Sequence, residues 1–201
     1  MRYSPFAGVL EVICGPMFSG KSEELIRRLR RAQIARQRVQ VFKARLDVRY
    51  STSHIVSHSD QTLQAVVVGS SEELLRLLDD RVEVVGVDEV QFFDAGIIEA
   101  CERLANMGKR VIVAGLDLDY RGLPFDPVPA LMAVADMVTK ASAVCARCGA
   151  PASRSQRLVA SGERIVVGAQ EVYEARCRHC FEPDVGAQLS MELPGDGGGA
   201  K

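Results

Sequence analysis

The chain has 201 residues, 47% of them hydrophobic, and a formal net charge of −1. That length and apolar content suit one α/β domain with a real core plus a small appendage. The near-neutral charge gives no overall footprint for nucleic acid or a membrane surface, and no run approaches the roughly 20 consecutive apolar residues that span a bilayer. Val9 to Cys14 is a short apolar run of strand type. Gly15-Pro16-Met17-Phe18-Ser19-Gly20-Lys21-Ser22 follows at once and fits G-x-x-x-x-G-K-[ST], a phosphate-binding loop. Gly15 and Gly20 lack a Cβ, so the backbone can curl around an anion and aim N–H groups at it. Lys21 is a point charge for β- and γ-phosphates, and the Ser22 hydroxyl is a Mg²⁺ ligand. A helical stretch from Glu23 to Arg38 adds its N-terminal dipole to the site. Its arginines 27, 28, 30 and 31 read as a solvated or interface surface.

Val39 to Lys43 reads as a second strand, followed by a polar segment from Ala44 to Thr62. Asp47 and Arg49 lie in that segment, where pattern alone makes Arg49 a solvated loop residue; His54 and His58 are loop histidines with no partner identifiable. Val66 to Val68 is strand-like, Ser71 begins a helix to about Asp79, and Val82 to Val87 is a buried strand ending at Asp88. Gly96 to Met107 is helical with Gly108 as its C-cap, and Val111 to Gly115 is a further buried strand. The β-α-β alternation with near-continuous apolar strands predicts a mostly parallel sheet covered on both faces, with the phosphate loop at a carboxyl edge. An apolar strand ending in Asp88 is how phosphate-loop enzymes hold Mg²⁺. Glu89 beside it is a carboxylate placed to take a proton from an attacking hydroxyl or water.

From about Ser142 the alternation gives way to short β-type runs, Gly and Pro. Cys145-x-x-Cys148 and Cys177-x-x-Cys180 supply four thiolates, a set that suits tetrahedral zinc. Four sulfurs fill the coordination shell, so the zinc is structural and staples the loop 149–176 at its base. That loop is longer than the roughly 15–20 residues of a zinc ribbon. Cys14 and Cys101 stand alone in apolar segments and read as buried free thiols. The start of the chain leads into a strand rather than a signal segment, so a cytoplasmic location without a disulfide framework is expected. Residues 1–141 are assigned to the α/β domain, 142–190 to the zinc-stapled part, and 191–201 to a disordered tail.

Together these residues carry a resemblance. The octet 15–22, Asp88-Glu89-Val90-Gln91-Phe92-Phe93, Gly115-Leu116-Asp117, Arg121-Gly122-Leu123-Pro124-Phe125 and the two cysteine pairs resemble the zinc-containing cytosolic (type II) thymidine kinase family, collinearly from about Val9 to Phe181. The resemblance implies a phosphate-loop (RecA-like) α/β fold, with a sheet flanked by helices and a small C-terminal zinc-binding lasso. It implies transfer of the γ-phosphoryl of ATP to the 5′-hydroxyl of thymidine, with Glu89 as general base. Gly15 to Ser22, Asp47, Arg49, Asp88 and Gln91 are then the ATP and Mg²⁺ contacts. Met17, Leu116, Tyr120 and Phe125 wall the base pocket, and Arg164, Ile165, Val166, Val167, Gly168 and Tyr173 reach it from the lasso. A homotetramer and feedback inhibition by thymidine triphosphate are implied as well. The chain departs from the family pattern at Leu118, where bacterial relatives usually have Gln, at Tyr120, where Phe is usual, at Arg164, where an aliphatic residue is expected, and at Ser57-His58-Ser59-Asp60.

The rival from another class is an ATPase acting on nucleic acid, since Asp88-Glu89-Val90-Gln91 has a helicase-like look and zinc ribbons often bind nucleic acid. The chain is too short for two motor lobes and lacks a general basic surface. A regulatory GTPase would carry an Asn-Lys-x-Asp guanine-reading element, and none occurs.

Overall fold

The computed structural model describes residues 8–45, 54–56, 62–159 and 172–183, with 54–56 and 62 described by backbone alone. Strands β1 (Val9–Cys14), β2 (Val39–Ala44), β5 (Val66–Val68), β6 (Val84–Asp88), β7 (Arg110–Gly115) and β8 (Met137–Lys140) form one sheet in the order β5-β2-β6-β7-β1-β8. Every pairing within it is parallel. The strands are apolar on both faces because both are covered, and their alternation sorts residues between two cores. Leu10, Val12 and Cys14 of β1, with Val85, Val87, Val111 and Val113, face α2 (Ser71–Leu77), α3 (Gly96–Asn106) and α4 (Val128–Val134). Ile13, Val84, Ile112 and Ala114 face the other way, against Leu25, Ile26 and Leu29 of α1 (Lys21–Ile34). A separate hairpin pairs β3 (His54–Val56), inside the segment expected to be polar loop, with β4 (Thr62–Gln64) at its end.

Helix α1 stops at Ile34, short of the Arg38 expected from sequence. Arg36 turns left-handed (φ 60), and the Gln37 N–H donates to the Ala32 carbonyl while the Arg36 N–H donates to that of Gln33. This is a Schellman stop with arginine at the position glycine usually takes. The same pair of bonds closes α3 around Gly108 (φ 85), where glycine announced the stop in the sequence. Helix α2 is capped by Ser70, whose Oγ accepts the Glu73 N–H at 3.1 Å, and it ends at Leu77. Helix α4 and edge strand β8 were not expected from sequence.

Of the α1 arginines read as a solvated or interface surface, Arg27, Arg30 and Arg31 are exposed and Arg28 is not. Its guanidinium reaches Glu11 of β1 at 2.7 Å, Glu24 at 2.7 Å and Thr139 of β8 at 2.9 Å. Glu11, only 4% exposed, is also held by Arg110 at 2.5 Å. A charge inside the sheet layer is sustained here because two guanidinium groups enclose it.

Beyond the sheet, β9 (Ala143–Val144) pairs with β10 (Pro151–Ala152), and β11 (Arg154–Arg157) pairs with β12 (Tyr173–Arg176), both antiparallel. The second ribbon joins the two ends of the long loop. Ala143, Cys145, Ala152, Ala175 and Cys177 make a small core of their own. No helix among the described residues is long and apolar enough to cross a membrane.

Candidate active site

The loop after β1 is shaped by its residues one at a time. Gly15 has φ 140, and a Cβ there would lie 2.4 Å from the Ala141 carbonyl oxygen, so only glycine fits between the loop and the chain leaving β8. Gly20 (φ 79) occupies the N-cap of α1 with no side-chain cap, leaving the first helical N–H groups directed at the loop. The Lys21 ammonium donates to the Pro16 carbonyl at 2.7 Å, and the Ser19 hydroxyl donates to the same oxygen at 2.8 Å. Burial pushes Lys21 below its ordinary pKa, opposed by the carboxylates of Glu89, Asp88 and Asp117.

Asp88 ends β6 close to this loop, and the Ser22 hydroxyl lies 3.4 Å from both of its carboxylate oxygens. Two oxygens bound to one Mg²⁺ at about 2.1 Å on neighbouring octahedral positions sit about 3 Å apart, so this hard-oxygen pair fits that ion. Burial, with Glu89 adding to it, raises Asp88 to about 7, and Lys43 and Lys21 pull the other way. Glu89 itself is left-handed (φ 54), which turns its side chain out of the strand. The Gln91 amide then holds it: Nε2 donates to a Glu89 carboxylate oxygen at 2.5 Å, while Oε1 accepts the Leu116 N–H at 3.0 Å. Gly115 leaves room for that amide, since a Cβ there would stand 2.6 Å from Gln91 Oε1.

The turn after β7 brings the aromatic residues together. The Asp119 carboxylate accepts the N–H groups of Arg121 and Leu123, and the Phe125 N–H donates to the Asp117 carbonyl. Phe125 is buried and packs edge-on against Phe92, their ring centres 5.9 Å apart. Leu116 and Met17 are half-buried. Tyr120 carries the Arg157 guanidinium over its ring at 3.5 Å. Tyr173 is buried at the start of β12, in register with Arg157. Asp117, also buried, pairs with Lys140 at 2.8 Å. The contributions of Phe92, Arg157, Lys140 and Ser155, whose Oγ accepts the Met17 N–H at 2.9 Å, were not expected from sequence; only Phe92 carried a signal, its place in the Asp88-to-Phe93 motif. Asp47, Arg49 and Arg164 to Gly168 lie outside the described residues.

The four cysteine sulfurs of 145, 148, 177 and 180 all lie within 4.8 Å of one another. Cys148 and Cys177 stand 3.6 Å apart, close to the roughly 3.8 Å edge of a tetrahedron built on Zn–S bonds of about 2.3 Å. Backbone hydrogen bonds, foremost at Cys177, hold Cys145 down to about 6, whereas sharing a proton with Cys148 and Cys177 pushes Cys180 up to about 12. Four sulfurs at this spacing suit a tetrahedral zinc ion. Cys14 and Cys101 are buried free thiols, as expected, pushed up to about 11 and about 12 by burial.

A phosphate loop, a serine–aspartate pair and a glutamate held by Gln91 thus stand together past the ends of β1 and β6, with the aromatic turn after β7 and the four-cysteine cluster joined to the loop through its neighbours. The family model "Thymidine kinase" matches residues 8–181. A curated thymidine kinase from Rhodothermus sp. (strain ITI 518) is 58% identical over 183 residues, covering 91% of this chain and 85% of that protein. The chain belongs to the thymidine kinase family.

Proposed function

We propose that the protein transfers the γ-phosphoryl group of ATP to the 5′-hydroxyl of thymidine, giving ADP and thymidine monophosphate. The observation that carries this reading is the placement of Glu89, held by Gln91, beside the Ser22–Asp88 pair and the Gly15–Ser22 loop. The loop N–H groups and Lys21 cradle the β- and γ-phosphates. Ser22 and Asp88 hold Mg²⁺, which when bound neutralises charge on the phosphate oxygens. Glu89 accepts the proton of the 5′-hydroxyl as its oxygen forms a bond to the γ-phosphorus. The bond from that phosphorus to the bridging oxygen breaks, and ADP departs with the electron pair. Gln91 orients the base; Asp47 and Arg49 complete the phosphate contacts, as the family resemblance implies.

Met17, Leu116, Tyr120 and Phe125 wall the thymine pocket, and residues 164–168 with Tyr173 close it from the lasso. Exclusion of water there keeps it from competing with the nucleoside hydroxyl. Cys145, Cys148, Cys177 and Cys180 hold structural Zn²⁺ at the base of that lasso. In the same reading the enzyme is a cytoplasmic homotetramer inhibited by thymidine triphosphate. ADP release with thymidine, deoxycytidine, deoxyadenosine and deoxyguanosine tests the assignment. Selective turnover of thymidine is expected; ATP consumption indifferent to the nucleoside, or stimulated only by single-stranded DNA, contradicts it.

A further inference from the structure

The zinc module touches the phosphate loop itself as well as the lasso. The Met17 N–H donates to the Ser155 Oγ at 2.9 Å, joining the loop to β11 across 138 residues. Phe18, the next residue, is held left-handed at φ 63, and its side chain packs against the small core of Ala143, Cys145, Ala152, Ala175 and Cys177. Gly15 is seated against Ala141, whose N–H donates to the Cys14 carbonyl at 2.8 Å. Three of the loop's first four residues are therefore anchored on the segment that leads into, or belongs to, the cysteine centre.

A non-glycine residue in the left-handed region costs on the order of 1–3 kcal/mol and persists only where its surroundings over-determine it. For Phe18 those surroundings are a five-residue core, two members of which, Cys145 and Cys177, belong to the cysteine cluster. The order of that core depends on the metal that joins the two halves of the cluster. We propose that the cysteine module braces the phosphate loop through Ser155 and Phe18, so that zinc occupancy and nucleotide binding are energetically coupled. Ser155 is a positioning residue in this scheme. It fixes the Met17 N–H, and with it the direction of the loop leading to Gly20, Lys21 and Ser22. Coupling between two sites is reciprocal: zinc raises nucleotide affinity, and nucleotide raises zinc affinity by the same factor. The proposal rests on the reading of residues 15–22 as the ATP site.

The test measures binding of a non-hydrolysable ATP analogue with Mg²⁺ by calorimetry, without thymidine, on the full chain. Four samples are compared: zinc-loaded wild type, chelator-stripped wild type, zinc-loaded Ser155→Ala and zinc-loaded Ser155→Thr. Stripping is expected to raise Kd about tenfold, and Ser155→Ala about three- to tenfold, in line with one lost hydrogen bond. Ser155→Thr, which keeps the hydroxyl, stays near wild type. Zinc affinity, read against a metal buffer, tightens on saturation with the analogue by the factor that stripping costs. If stripping unfolds the chain, the two zinc-loaded variants still decide. Equal affinities for Ser155→Ala and wild type, or a zinc affinity indifferent to the analogue, overturn the brace alone. Failure of zinc-loaded wild type to bind the analogue overturns the ATP-site reading, and the brace with it.

Discussion

Replacing Gln91 with leucine removes the group that fixes the proposed general base while leaving that base in place. The Gln91 amide spends one end on the Glu89 carboxylate at 2.5 Å and the other on the Leu116 N–H at 3.0 Å, and the residue is only 3% exposed. Leucine has similar bulk and neither bond. Losing a hydrogen bond to a charged group costs about 1.5–3 kcal/mol, and the stranded Leu116 N–H about 1–3 kcal/mol more, partly offset by the added apolar contact. A net loss of about 2–4 kcal/mol in stability is expected, read by thermal unfolding. The catalytic effect is separate. A displacement of about 1 Å at a reacting group lowers turnover on the order of 10²-fold. Steady-state formation of thymidine monophosphate at saturating substrates should show kcat reduced by about that factor, with the KM for ATP within about twofold of wild type. Glu89→Gln, which removes the base, should lose roughly 10²–10⁴-fold. The double variant should be no slower than Glu89→Gln alone, because Gln91 acts through Glu89. A Gln91→Leu enzyme that is less stable but turns over normally refutes the positioning role, as does a double variant whose losses multiply.

Arg28→Ala should lower stability by about 3 kcal/mol, since it strips one of the two guanidinium groups from buried Glu11; a drop of about 6–12 °C in Tm follows for a chain of this size, and less than about 1 kcal/mol would mean Arg110 alone suffices. Glu24 is held down to about 2 from an ordinary 4.5, first by the Arg27 hydrogen bond and then by Arg28. Its folded pKa is depressed, so its contribution is complete above about 4.5 and fades as pH falls toward 2. Glu24→Gln should therefore flatten the acid limb of a denaturation profile across that window, and an unchanged limb would discount the pair. Zinc removal should raise the KM for thymidine about tenfold, with faster amide exchange in Arg154–Arg157 and Tyr173–Arg176; unchanged kinetics after verified zinc loss would remove the stapling role.

What the sequence disclosed and what it withheld divide by range. The phosphate loop was legible because glycine positions, a lysine and a serine at fixed offsets are all the geometry requires within eight residues. Five of the six parallel strands were legible as apolar runs. Edge strand β8 was not, since Met137, Val138 and Lys140 are exposed. Its neighbour α4 is seven residues long, with Pro127 at its cap and Pro129 inside its first turn. The stop of α3 showed itself through Gly108, while the identical stop of α1 is built on Arg36, a residue that carries no such signal. Asp88 and Glu89 stood out as acids at a strand end. That Gln91 ties Glu89 to Leu116 depends on β6 and β7 lying side by side, which no local pattern states. The same holds for Arg28 on Glu11, Arg157 on Tyr120 and Ser155 on Met17, all contacts between distant parts of the chain. The arginine stacked on Tyr120 is notable because tyrosine is itself a departure from the family pattern, and the cation comes from β11, far along the chain.

The central claim, phosphoryl transfer to the thymidine 5′-hydroxyl, is tested most directly by following the γ-phosphate. Purified zinc-loaded protein is incubated with Mg²⁺, γ-labelled ATP and thymidine, and the products are separated. Label is expected in thymidine 5′-monophosphate in equal amount to the unlabelled ADP formed, with almost no ADP and almost no released label when thymidine is left out. Label released as inorganic phosphate regardless of thymidine would contradict it.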